Sequence, residues 1–171
     1  MTTDEKQRLL DSRDLRMAFT WAENSYCSRR QVGALLVKDK MIISDGYNGT
    51  PSGFDNVCED GNDVTFPYVL HAEANAITKV ARSNNSSEGS TLYVTTSPCM
   101  ECSKLIIQAG IKEVIYDSDK YAGTPSNVAA KKMFDAAGVR CVQYQRTGRT
   151  ISFEVSKVVN RNAVRDIIRF C

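Results

Sequence analysis

The sequence predicts an α/β fold, a mixed β-sheet covered on both faces by helices. Three observations predict it. Two strand-like runs at 32–37 and 41–47 are separated only by Lys38-Asp39-Lys40, a hairpin connection. Further strand-like runs at 91–95, 112–116 and 139–144 alternate with helix-like stretches at 71–82, 98–109 and 126–137, the order that builds βαβ units. The length, 171 residues, suits one ordinary core. We read 1–171 as a single domain, with a core of about 12–145 and a C-terminal extension, 146–171.

The elements follow in order. Up to Asp14 the chain is charged and shows no signal-peptide pattern. Leu15, Ala18, Phe19 and Ala22 then recur at i, i+3, i+4 and i+7, the apolar stripe of an amphipathic helix. After the hairpin, Gly46-Tyr47-Asn48-Gly49-Thr50-Pro51-Ser52-Gly53 is too rich in Gly and Pro to be other than loop, and the irregular stretch persists to about Pro67. A loop of that length in a compact domain points to function. Residues 71–82 are Ala-rich and helical, 83–89 form a polar connection, and 91–95 are a β-branched strand. Pro98 opens a helix that stops at Gly110, and the helix at 126–137 stops at Gly138. Residues 150–159 read as extended and 162–170 as a short helix.

Composition excludes several classes. Hydrophobic content of 42% and charged content of 25% are those of a soluble globular chain. No apolar run is long enough to span a bilayer, so no membrane partner is expected and a cytoplasmic location follows as the default. Basic and acidic residues number 22 and 20, well mixed, for a net charge of +2. That balance argues against a polynucleotide partner and for a small anionic one. Arg161, Arg165 and Arg169 recur at helical spacing in the tail and read as a solvated face. Six cysteines in a signal-less chain are expected to be thiols or metal ligands, not a disulfide framework.

Two segments carry chemistry. His71-Ala72-Glu73 and Pro98-Cys99-Met100-Glu101-Cys102 each stand where a helix begins. Cysteines at i and i+3 on one helical turn present both sulfurs to one metal ion, and a helix N-terminus favours the thiolate that zinc needs. His71, Cys99 and Cys102 give three ligands, and tetrahedral zinc then keeps a fourth position for water, the mark of a catalytic site. Two thiolates neutralise the metal's formal charge and acidify that water less than imidazoles would, so a separate base is useful. Glu73, two residues from His71, is the candidate for it. Taken singly, a histidine is an ordinary polar residue, and a Cys-x-x-Cys can be a redox pair or half of a structural zinc site. Together, His-x-Glu followed by Pro-Cys-x-x-Cys is the signature of zinc nucleobase deaminases, with the glutamate as non-ligand acid and base.

The run His71-Ala72-Glu73-Ala74-Asn75-Ala76-Ile77, the run Ser97-Pro98-Cys99-Met100-Glu101-Cys102 and the following 104–111 resemble the zinc-dependent cytidine/deoxycytidylate deaminase family, in its deoxycytidylate (dCMP) branch. Gln31-Val32-Gly33-Ala34, the loop at 46–53 and Asp119-Lys120-Tyr121 are similar too, so the resemblance covers roughly 12–145. It implies a three-layer α/β/α fold with a mixed five-stranded sheet, assembled as a homohexamer. It further implies hydrolysis of dCMP to dUMP and ammonia in the service of thymidylate synthesis, with dCTP as activator, dTTP as inhibitor and Mg2+ on the triphosphate. Under the resemblance Tyr121 stacks on the pyrimidine and Asn48 lies near the sugar, while Arg29 and Lys120 are candidates for the phosphate. The resemblance also implies that Gly46, Tyr47, Asn48 and Gly49 belong to the family's effector site, which leaves a structural, a catalytic-side and a regulatory role open for the loop. Lys79 and Arg82, along the helix that carries His71, are placed to meet a triphosphate at a subunit boundary.

Some relatives carry a second, structural zinc on cysteines near positions 27 and 58 together with histidines. Here the one histidine is His71, so one Zn2+ per chain is expected. Cys141 reads as a buried strand thiol and Cys171 as incidental. The rivals are a deaminase of the same fold for another base (tRNA adenosine or free cytosine) and a non-catalytic zinc module. The loop at 46–53 speaks against the first. Glu73 speaks against the second, because a structural site needs a fourth Cys or His and no free carboxylate.

Overall fold

The structure, a computed structural model, describes residues 2–145 together with the strand residues Glu154–Val155 and Ile168–Arg169. Four helices and a five-stranded sheet make three layers. The order along the chain is α1 Thr3–Ala22, β1 Gly33–Lys38, β2 Met41–Tyr47, α2 Ala72–Ala81, β3 Thr91–Thr96, α3 Met100–Gln108, β4 Glu113–Ser118, α4 Pro125–Ala137 and β5 Arg140–Gln143. In the sheet the order is β2-β1-β3-β4-β5. β1 runs antiparallel to β2 and to β3, while β3, β4 and β5 are parallel.

Period-two alternation decides which layer each side chain enters. Leu35, Tyr93 and Ile115 face α1 and pack with Leu15 and Ala18. Their neighbours Ala34, Leu36, Leu92, Val94, Val114 and Tyr116 face the other way, against Ala72, Ala76 and Val80 of α2, Ile106 of α3, and Ala130 and Phe134 of α4.

Two glycines set how closely the helices approach. A Cβ on Gly33 would stand 1.9 Å from the Ala18 carbonyl oxygen. So α1 rides on the sheet through its Ala18–Ala22 edge, and Phe19, expected in the buried stripe, is 41% exposed. A Cβ on Gly46 would stand 2.2 Å from the Ala72 carbonyl oxygen and 2.6 Å from the Ala76 nitrogen, so α2 lies directly on β2. Ser44 Oγ donates to the Ala76 carbonyl and Asn75 Nδ2 to the Tyr47 carbonyl, pinning the same pair.

Caps explain the helix limits. Thr2 and Glu5 form a capping box on α1. Thr124 caps α4 with Pro125 in its first turn, and Gly138 ends it in the left-handed region.

Two expectations need correction. Cys27 and Cys58 are joined as a disulfide, Cα atoms 5.1 Å apart, and are not free thiols. The cause is local: the long loop folds back over 25–31, where Glu59 Oε2 accepts from the Ser28 amide and hydroxyl at 3.0 and 3.1 Å. In the tail, Ile168–Arg169 do not continue a helix but pair antiparallel with Glu154–Val155, which gives their backbone groups inter-strand partners. The rest of the expected 162–170 helix, with Arg161 and Arg165, lies outside the described residues, as does Cys171.

Candidate metal centre and cleft

His71 is the N-cap of α2, with extended backbone and no side-chain cap hydrogen bond, which leaves its imidazole free. Cys99 is the N-cap of α3, and its sulfur accepts from the Cys102 amide. Cys102 stands one turn in, its side chain turned the same way. His71 Nδ1 lies 3.4 Å from each sulfur, and the three atoms lie within 4.8 Å of one another. Tetrahedral zinc with ordinary Zn–N and Zn–S lengths needs roughly 3.5 Å between nitrogen and sulfur. The three donors therefore fit a zinc ion at their centre, and among the described residues no other His/Cys/Asp/Glu group does so.

Electrostatics separates the sulfurs. A hydrogen bond from Cys102 lowers Cys99 to about 3, and the same bond, with burial, pushes Cys102 up. The hydrogen bond to Cys99 raises His71 to about 9.

Glu73 is two residues along α2 and 4% exposed. Burial pushes its carboxyl above the usual carboxylate range, against the opposing pull of His71. A carboxyl whose proton affinity is raised is suited to carrying a proton, as acid–base work requires.

The sheet places these groups together. β3 and β4 end at Thr96 and Ser118, and ligands of open α/β sheets bind beyond the carboxyl ends of parallel strands. There a cleft of about 440 Å³ opens over His71, Glu73 and Cys99, with Arg29, Arg30, Lys120 and Tyr121 near it. Of the residues expected at the substrate, Asn48, Tyr121, Arg29 and Lys120 all line this cleft. Asn48 also braces the cleft wall, since its Oδ1 accepts from the Val32 amide and its Nδ2 donates to the Arg30 carbonyl, at 2.7 and 2.8 Å.

Arg30 was missed by sequence reasoning. Its guanidinium carbon lies 5.4 Å from the Tyr121 ring centroid, whereas the Arg29 guanidinium donates to Thr65 Oγ1 at 3.3 Å. Two successive arginines give no signal in the sequence of which one lies over Tyr121.

The expected effector residues divide. Gly46 is buried under α2, and Gly49 bridges to Leu70, immediately before His71. Lys79 Nζ is 2.6 Å from Asp45 Oδ1 and 5.6 Å from the Tyr47 ring centroid, while Trp21 Nε1 also donates to Asp45. Arg82 is exposed at the C-cap of α2.

Residues 10–118 match the cytidine and deoxycytidylate deaminase zinc-binding region. The chain belongs to the cytidine and deoxycytidylate deaminase family. It is 43% identical over 131 residues to the human deoxycytidylate deaminase, covering 72% of each chain. To the mouse deoxycytidylate deaminase it is 40% identical over 151 residues, covering 84% of this chain and 80% of that one. Among solved structures, the dCMP deaminase of cyanophage S-TIM5 in complex with dCMP and dUMP superposes with a TM-score of 0.71 at 38% identity, over 84% of this chain and 98% of that one. Its family membership makes this chain a zinc-family hydrolytic deaminase. No helix among the described residues is long and apolar enough to cross a membrane.

Proposed function

We propose that this deaminase hydrolyses dCMP to dUMP and ammonia. The observation that carries the reading is Glu73: a buried carboxyl outside the His/Cys/Cys ligand set, lining with His71 and Cys99 a cleft that also holds Arg29, Arg30 and Lys120. The named activity of the human, mouse and cyanophage relatives supports dCMP as the substrate.

His71, Cys99 and Cys102 would hold Zn2+, which when bound supplies a Lewis acid and an acidified water. Glu73 takes a proton from the water whose oxygen bonds to C4 and passes it to N3 of the cytosine ring. It then takes the remaining proton of the added hydroxyl and delivers it to the amine, which leaves as ammonia when the C4–N bond breaks. Burial of that carboxyl raises its proton affinity. Tyr121 offers a ring face to the pyrimidine, and Asn48 lies on the side proposed for the sugar. Arg29, Arg30 and Lys120 offer positive charge to the 5′-phosphate.

Regulation belongs to the same reading. In it dCTP activates and dTTP inhibits, Mg2+ accompanies the triphosphate, and a homohexamer in the cytoplasm supplies dUMP for thymidylate synthesis. The Gly46–Gly49 loop suits a coupling role, because the Gly49–Leu70 bridge joins it to the residue before His71. A triphosphate using Lys79 would have to compete with Asp45 for it.

The test is turnover of dCMP by Glu73→Gln with zinc content measured on the same sample. A zinc-loaded variant slowed by about 10²–10⁴ supports the assignment; near-normal turnover ends it.

A further inference from the structure

Tyr121 sits on an exposed loop, 43% accessible, and little packs behind it. A separate cavity of about 250 Å³ lies there, lined by Ser97, Cys99, Thr124 and Asn127 among others, so the ring has room to swing back from the cleft. The cations of Arg30 and Lys120 lie 5.4 and 5.8 Å from the Tyr121 ring centroid. Packing alone does not fix this loop.

A polar tether does. Asp119, two residues before Tyr121, places Oδ2 2.8 Å from Lys131 Nζ on α4. Its Oδ1 lies 3.4 Å from Asn127 Nδ2, also on α4. Asn127, 3% exposed, donates as well to Ser97 Oγ at 2.9 Å, and the Ser97 amide donates to the Ser118 carbonyl at 2.9 Å. One end of the chain of contacts is therefore the segment leading into Cys99, and the other is the root of the Tyr121 loop. Beyond Asp119 the loop closes on itself: Ala122 donates to the Asp119 carbonyl, and the Thr124 amide and hydroxyl donate to the Tyr121 carbonyl.

We propose that Lys131 and Asn127 are positioning residues which, through Asp119, hold the Lys120–Tyr121 loop over the metal cleft and so set substrate affinity, leaving the chemical step to Glu73. The proposal rests on the reading of dCMP as substrate for its kinetic consequence, but not for the tether itself. Lys131 is partly exposed, and its Nζ also lies 5.9 Å from the ring centroid of Tyr116, whose hydroxyl donates to the same Asp119 oxygen at 3.5 Å.

The experiment compares wild type, Lys131→Met and Lys131→Arg for KM and kcat with dCMP, zinc content, and amide hydrogen exchange across 118–125. An ion pair this exposed is worth up to about fivefold in an equilibrium. The Met variant should raise KM about three- to fivefold with kcat unchanged, keep its zinc, and exchange faster at Ala122 and Thr124. The Arg variant should restore all three readouts. Unchanged KM and unchanged exchange in Lys131→Met would overturn the proposal, as would a fall in kcat at constant KM. If wild type does not turn over dCMP, the reading of the substrate fails, and the exchange comparison alone still decides the tether.

Discussion

His71 and Cys99 hold equivalent positions: each is the N-cap of its helix, and Nδ1 of one stands 3.4 Å from Sγ of the other. Two helix N-termini thus converge on one point, each contributing partial positive charge that favours thiolate there. The equivalence has unequal consequences for stability. Cys99 uses its sulfur as a cap, whereas His71 caps nothing. Replacement of either residue by Ala should remove the metal. Cys99→Ala should in addition cost metal-free protein about 0.5–2 kcal/mol, the value of an N-cap. Zinc analysis together with denaturant unfolding of metal-stripped wild type, His71→Ala and Cys99→Ala checks this. Equal unfolding midpoints for the two stripped variants would contradict it.

Most of this centre was legible in the sequence because its residues are contiguous. Glu73 stands two places from His71, Cys102 three from Cys99, and Pro98 announces the second helix. The five sheet strands were legible for the same reason, since alternation and turn residues are local signals. What escaped depended on tertiary approach. Phe19 belongs to the apolar stripe by spacing, yet Gly33 draws α1 down on its alanine edge and leaves the ring outside. Arg29 and Arg30 are adjacent and identical in type, and only the fold turns one toward Tyr121. Cys27 and Cys58 meet because the loop returns over 25–31, a contact that spacing does not encode.

Gly46 separates a packing role from an effector role. A methyl group there would collide with backbone of α2 at Ala72, next to Glu73. Gly46→Ala should destabilise by about 1–3 kcal/mol, the usual cost of overpacking, and should lower turnover without any triphosphate present. Thermal unfolding and initial rates measure both. Full stability and full basal activity, with only the response to dCTP lost, would show that its role is nucleotide contact and not packing.

The Cys27–Cys58 disulfide spans a sequence separation of 31 residues. Loop-closure entropy for that length gives about 3–4 kcal/mol. Reduction, or Cys27→Ser, should therefore lower unfolding stability by up to that amount. Because Arg29 and Glu59 flank the bridge and line the cleft, KM should rise as well. Paired melts and kinetics with and without dithiothreitol give the answer. Identical melts under both conditions, with the bond verified by mass spectrometry, would remove its structural role.

Alkaline pH offers a test far from the site. The buried Tyr93 hydroxyl donates to Asp11 Oδ1 at 2.8 Å, and burial together with that carboxylate pushes its ionisation upward from the usual 10.0. A raised folded-state value means that the fold keeps a proton the unfolded chain gives up. Stability is then full below pH 10 and falls as pH climbs above it, at no more than about 1.4 kcal/mol per pH unit. Tyr93→Phe should start less stable, through loss of the hydrogen bond, and decline less steeply between pH 10 and 11. Parallel slopes for the two proteins would show that another group governs the alkaline transition.

The paired arginines give the last prediction. Arg29 donates to Thr65 across the long loop, so its charge already has a polar partner in the wall. Arg30 lies over the Tyr121 ring and lines the cleft. If dCMP is the substrate, its phosphate should depend more on Arg30. Replacement of a guanidinium that meets phosphate through charged hydrogen bonds costs about 1.5–3 kcal/mol. Arg30→Gln should therefore raise KM for dCMP about tenfold or more, while Arg29→Gln should raise it less and lower stability slightly. Deoxycytidine supplies the control, because it lacks the phosphate. Arg30→Gln should cost it far less than it costs dCMP, shrinking the preference for nucleotide over nucleoside. An equal loss on both substrates would mean that Arg30 serves the Tyr121 ring and not the phosphate.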